Sequence, residues 1–97
     1  MRHRYIIAYD IADPKRLNRV FRKMQGFGDS VQYSVFCCDL SRQEKVIMQL
    51  ALIELINRRE DRIILVDVGP IDGRGSDSIE SVGRAISLID HRRPVIV

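Results

Sequence analysis

The chain has 97 residues, 45% of them hydrophobic and 30% charged, which fits one globular domain and excludes a disordered or low-complexity chain. No apolar run approaches the length of a membrane span, and Met1-Arg2-His3-Arg4 leads straight into a strand with no signal peptide, so a cytoplasmic protein with no membrane partner is expected. The net charge of +3 is uneven: residues 1–35 hold seven Lys or Arg against three Asp, whereas residues 36–97 hold nine against ten acids, so the start of the chain carries either a polyanion-binding edge or ordinary solvated surface charge.

Residues 4–10 form the first expected strand, an apolar β-forming run that ends on a carboxylate, Asp10. Asp13-Pro14 reads as a helix N-cap followed by proline at the first helical position. A helix over 14–25 follows, with Leu17, Val20, Phe21 and Met24 on one face and Lys15, Arg16, Arg19, Arg22 and Lys23 on the other; Gly26 and Gly28 stop it. Residues 29–40 are extended, either as one long bent strand or as two short strands with a kink near Ser34. Ser41-Arg42-Gln43-Glu44 is a capping box, and the helix it opens, to about residue 57, is apolar nearly all round. One of its faces is expected to pack the sheet and another to meet a second chain. Residues 62–68 form a strand closed by Gly69-Pro70. A polar loop over 71–78 follows. Beyond it Ile79, Val82, Ile86 and Ile89 have helical spacing, although residues 78–82 also alternate like a strand. Pro94-Val95-Ile96-Val97 can form a last short strand.

The order β-α-β(β)-α-β predicts an α+β ferredoxin-like sandwich, an antiparallel sheet with two helices on one face. The whole chain, 1–97, is expected to be one domain with a core over about 4–68 and a C-terminal dimerisation extension over about 76–97. A terminal strand with no partner in its own domain invites exchange with a second protomer, and a core this small gains from dimerisation, so a homodimer is expected.

Asp10 carries the chemistry. Apolar neighbours raise the cost of its charge, so it is either a metal ligand or an acid held by backbone amides. Arg16, Arg19 and Lys23 share a helical stripe at i, i+3 and i+7, which either tracks phosphates or is a solvated face. Tyr9 and Tyr33 are expected to be half-buried packing residues, with base stacking as the alternative. Phe36 is expected in the core or in a dimer interface, and Ser34 at a strand kink, where it either bends the chain or orients water. Cys37 and Cys38 should point to opposite faces as buried small hydrophobes, unbridged to one another. His3 and His91 show no partner and are read as surface residues; with two cysteines they make no zinc spacing. Nothing in the spacing of Asp39, Asp67 and Asp72 links them to Asp10.

The chain resembles the CRISPR-associated protein 2 family. The resemblance rests on Tyr9-Asp10-Ile11, on Asp13-Pro14-Lys15-Arg16-Leu17, on Gly26-Phe27-Gly28, on Gln32-Tyr33-Ser34-Val35-Phe36 with Leu40 after it, and on residues 62–68, together covering about 4–68. It implies a ferredoxin-like homodimer in antiviral defence, with Asp10 of each protomer holding Mg²⁺ or another divalent cation across the two-fold axis. It also implies that Tyr9, Arg19, Ser34 and Phe36 neighbour that site. Some members carry Arg where this chain has Ser30, which removes one phosphate contact.

Three functions follow from the resemblance and the residues. The first is a Mg²⁺-dependent endonuclease acting on RNA or double-stranded DNA, with Asp10 catalytic and Arg16, Arg19 and Lys23 on the nucleic acid. The second is a non-catalytic dimeric scaffold that bridges subunits of a CRISPR integrase and binds duplex DNA during spacer acquisition. The third is a toxin-type ribonuclease of similar size and fold.

Overall fold

A computed structural model describes residues 1–84 of the chain. Its elements follow as β1 (His3–Asp10), α1 (Pro14–Met24), β2 (Asp29–Gln32), β3 (Val35–Leu40), α2 (Arg42–Leu55), β4 (Arg62–Pro70) and a short α3 (Arg74–Asp77). The sheet runs β2-β3-β1-β4, and each neighbouring pair is antiparallel. This is the expected ferredoxin-like arrangement, with the first and third strands central and the helices on one face.

Period-two alternation in β1 sends Tyr5, Ile7 and Tyr9 into the core and Arg4, Ile6, Ala8 and Asp10 to the other face. The core joins those residues to Phe36, Cys38 and Leu40 of β3, Val20 and Met24 of α1, and Met48 and Leu52 of α2. Both helices start as the local chemistry dictates. The Asp13 carboxylate accepts from the Arg16 amide at 2.9 Å, with Pro14 following. At α2 the Glu44 amide donates to Ser41 Oγ at 3.1 Å and the Ser41 amide to Glu44 Oε1 at 2.8 Å, which closes the capping box. Between α1 and β2 the chain passes so close to β3 that a Cβ on Gly28 would lie 2.3 Å from the Cys37 carbonyl oxygen.

The structure resolves the choice over 29–40. Two strands form a hairpin that reverses at Tyr33 and Ser34, with Ser34 in the left-handed region at φ 67°. Cys37 and Cys38 are both buried and unbridged, on opposite faces of β3, and burial pushes their thiols up to about 11 and about 12, so both stay protonated near neutrality. α2 buries Met48 and Leu52 but leaves Val46, Ile47, Leu50 and Ile53 exposed. The stretch read as a polar loop over 71–78 contains α3, and Ile71, just before it, is buried. Residues 79–84 are irregular, so neither the helical nor the strand pattern of Ile79 and Val82 is realised there. Ile86, Ile89, His91 and the terminal strand 94–97, with any exchange between protomers, lie outside the described residues.

Candidate active site

Asp10 is the last residue of β1 and its carboxylate is exposed on the sheet face away from the helices. No hydrogen bond or ion pair engages it among the described residues. Strand pairing sets Arg62, also exposed, directly opposite it on β4. Residues opposite one another in an antiparallel pair share a face, so a carboxylate and a guanidinium stand side by side at this end of the sheet. The same face carries half-buried Ile6 and Ala8 and exposed Ile64 and Val66.

The acid held by backbone amides is Asp61, not Asp10. Asp61 Oδ1 accepts from the Ala12 amide at 2.9 Å and Oδ2 from the Asn57 amide at 2.8 Å. Arg16 closes the set, with Nε donating to Oδ2 at 2.8 Å and Nη2 to Oδ1 at 3.2 Å and to Glu60 Oε1 at 3.1 Å. The Arg16 guanidinium, with the two amides behind it, holds the Asp61 carboxyl far below the usual carboxylate range. This network pins the loop after Asp10 to the loop before β4, so the strand end that carries Asp10 is fixed from both sides. It also commits Arg16, which the sequence places with Arg19 and Lys23 on one exposed stripe. Arg19 and Lys23 remain exposed, and Arg16 is drawn inward because the Asp61 side chain is buried and needs a cation.

A depressed native pKa carries a sign. Asp61 contributes its full stabilisation above the ordinary carboxylate pKa, about 3.9, and loses it as pH falls toward the native value. Urea midpoints are therefore expected to drop on acidification from pH 7 to about pH 2.5 and to drop less in Asp61→Asn, which has no carboxylate to protonate. Parallel pH profiles would show that Asp61 adds nothing to acid lability.

The other expected site residues separate. Tyr9 and Phe36 are buried, with rings stacked at 6.2 Å, and Phe21 meets Phe36 edge-on at 5.5 Å. They support β1 from within the core. Ser34 shapes the hairpin turn, and its carbonyl accepts from the Tyr9 amide at 3.1 Å. Tyr33, expected to be half-buried, is 86% exposed. His3 also departs from expectation: Nδ1 lies 2.9 Å from Asp67, whose pKa is lowered by that bond and by the Gly69 amide. Sequence reasoning misses Arg62, Asp61 and the His3–Asp67 pair because Asp10, Arg16 with Ala12, and Asp67, which decide them, are each remote in sequence.

Among the described residues no three or more His, Cys, Asp or Glu gather where they could hold a metal ion. Asp10 is a hard oxygen donor suited to Mg²⁺, so its chemistry fits such an ion, but one chain supplies a single carboxylate.

A sequence model of the family described as "CRISPR associated protein Cas2" matches residues 1–72. The chain is 39% identical over 94 residues to the "CRISPR-associated endoribonuclease Cas2 1" of Rhodospirillum rubrum, covering 97% of this chain and 91% of that one. It is 38% identical over 97 residues to the "CRISPR-associated endoribonuclease Cas2" of Geobacter sulfurreducens, covering the full length of both. Among solved structures, it resembles Streptococcus pyogenes Cas2 with a TM-score of 0.72 and 27% identity, over 82% of this chain and 99% of that one. A hypothetical protein from Thermus thermophilus shares the fold with a TM-score of 0.76 at 24% identity, over 92% of this chain and 100% of that one. No helix among the described residues is long and apolar enough to cross a membrane.

Proposed function

The chain belongs to the Cas2 family of CRISPR-associated proteins, and from that premise we propose that it is a divalent-metal-dependent endonuclease cleaving phosphodiester bonds of RNA or double-stranded DNA in antiviral defence. The observation that carries this reading is Asp10, an exposed carboxylate opposite Arg62 that is unengaged among the described residues, at a strand end whose neighbouring acids Asp13 and Asp61 are both occupied within the fold. A homodimer formed through the open sheet face, where Ile6, Ala8, Ile64 and Val66 lie, would bring two copies of Asp10 to one axis. The apolar ridge of α2 lies on the opposite side of the sheet and cannot do so.

The two Asp10 carboxylates would hold Mg²⁺ or another divalent cation. Bound there, such an ion polarises a phosphate and lowers the pKa of its water. The chain's own part is to fix the carboxylate at the strand end, to offer Arg62 to a phosphate oxygen, and to lead the backbone along Arg19 and Lys23. Assay of wild type and Asp10→Ala on labelled RNA and duplex DNA, with and without chelator, tests this. Equal cleavage by the variant, or full activity in excess chelator, rejects it.

One observation favours a second reading. With no cluster of three or more metal-ligating side chains among the described residues, the multi-carboxylate site of two-metal nucleases is missing from a single chain. On that reading the protein is a non-catalytic dimeric scaffold that binds duplex DNA and bridges subunits of a CRISPR integrase in spacer acquisition.

Both readings need a phosphate-contacting face, and Arg19→Glu probes it. Arg19 is exposed on α1 and its reversal leaves Leu17 and Val20 in place. The slope of log affinity against log salt on duplex DNA is expected to shrink by about 1 for each Arg19 that touches phosphate, hence by about 2 per homodimer. An unchanged slope in a titration of labelled duplex would make the α1 cations a solvated face only.

A further inference from the structure

We propose that the pocket between α1 and the β2–β3 turn seats an unpaired nucleobase of a single-stranded nucleic acid, with Tyr33 as its stacking platform. The proposal rests on the nucleic-acid reading above and names a feature of the bound strand that a helical stripe of cations cannot distinguish.

The pocket has a volume of about 210 Å³ and is lined by Tyr9, Leu17, Asn18, Phe21, Tyr33 and Ser34. Its floor is the outer end of an aromatic row, Phe21 edge-on to Phe36 and Phe36 stacked on Tyr9. Tyr33 lines the same pocket at the surface. At 86% exposed it is set on a two-residue turn whose second residue, Ser34, is left-handed, and the Ser34 carbonyl is tied to the Tyr9 amide. The ring is therefore presented from a fixed backbone rather than from a slack loop. A single exposed aromatic side chain on a surface needs no explanation, but one that walls a concave, aromatic-floored space does.

The chemistry of the lining selects the occupant. Aromatic faces accept any base by stacking, because every base has a π-face. The Asn18 side chain offers both a donor and an acceptor to a base edge. Among the described residues no acidic side chain lines the pocket, and Arg19, Arg22 and Lys23 are exposed along the helix that forms its wall. An aromatic slot beside cations is complementary to a base and its phosphates, and in a duplex the bases are already paired and stacked. Tyr9 is also the residue before Asp10, so a strand with one base in this slot would pass the end of β1.

The test uses the full-length protein in chelator, to prevent cleavage, with a single-stranded RNA carrying 2-aminopurine and, separately, labelled duplex DNA. Tyr33→Ala is expected to weaken single-strand affinity by about 5- to 150-fold, the factor corresponding to loss of one stacked base. It should also relieve the fluorescence quenching of the bound 2-aminopurine and leave duplex affinity within about twofold. Tyr33→Trp should preserve binding and quenching, and single-stranded DNA of the same sequence should lose affinity as RNA does, since the base is what stacks. Asn18→Ala gives a second variant that does not touch the turn. If Arg19→Glu weakens both ligands while Tyr33→Ala weakens neither, the pocket is rejected and the wider reading stands. Equal weakening of duplex and single strand by Tyr33→Ala, or a shift in its sedimentation from dimer to monomer, rejects the pocket as well. A wild-type protein that binds neither ligand overturns both.

Discussion

Replacing Asp10 with Ala is expected to remove divalent-dependent cleavage by about a thousandfold or more, the rate equivalent of losing about 4 kcal/mol of transition-state stabilisation by a metal ion. The fold should survive, because the carboxylate is exposed and makes no hydrogen bond or ion pair among the described residues, so the melting temperature should stay within a few degrees of wild type. That separates Asp10 from Asp61, whose loss would act through the loop it holds. A mixing experiment then asks whether both copies of Asp10 are needed. Variant subunits are exchanged into wild type at a fixed total concentration. If the ion requires a carboxylate from each protomer, activity follows the square of the wild-type fraction; if each Asp10 acts alone in its own protomer, it follows the fraction itself. A linear dependence would dismantle the shared site while leaving Asp10 essential. No loss of activity in the pure variant would turn the argument toward the scaffold.

What could be read in advance was whatever the chain signals locally. An apolar run ending on a carboxylate marks the strand end and Asp10. Asp13-Pro14 and Ser41-x-x-Glu44 mark the helix starts, and both caps form through side chains three residues apart. The hairpin was ambiguous because its turn uses a left-handed Ser34 where an Asn-Gly or Asp-Gly pair would have announced it. Without the hairpin the register of β3 stays open, and with it which residues share the open face. Asp61 bonds to an amide 49 residues away and to a guanidinium 45 residues away, so no window of sequence contains the network. For the same reason Arg16 reads as one more exposed cation on α1 until the tertiary structure claims it. Arg62 is the mirror case, since it looks like a strand flank and becomes a neighbour of Asp10 only through β1–β4 pairing. Tyr9 and Tyr33 show the limit of residue type as a signal: one faces the core from a central strand, and the other tops a turn.

The largest expected loss of stability lies on the same sheet face as Asp10, toward its other end. Asp39 is 3% exposed, and Arg4 opposite it on β1 donates Nε to Oδ1 at 2.7 Å and Nη2 to Oδ2 at 2.9 Å. The pair is bidentate and enclosed within one chain before any partner arrives. Asp39→Ala would leave the Arg4 guanidinium without its carboxylate in a largely buried position, which costs about 3–5 kcal/mol. A domain of this size has roughly 5–15 kcal/mol in total, so the variant should unfold at a much lower urea concentration or fail to fold. Replacing both residues by apolar ones of similar volume, as in Arg4→Met with Asp39→Leu, removes both charges together. The double variant is therefore expected to recover most of the loss, and it keeps the test meaningful even where Asp39→Ala cannot be purified folded. A loss below about 1 kcal/mol in the single variant would place the pair with solvent-screened surface bridges, whatever its geometry. A double variant no more stable than Asp39→Ala would mean that the cost comes from something other than the loss of the bidentate bond to Asp39. Recovery would instead show that this end of the face needs charge balance rather than charge, leaving Asp10 and Arg62, exposed opposite one another at the other end, as the charged groups open to a ligand.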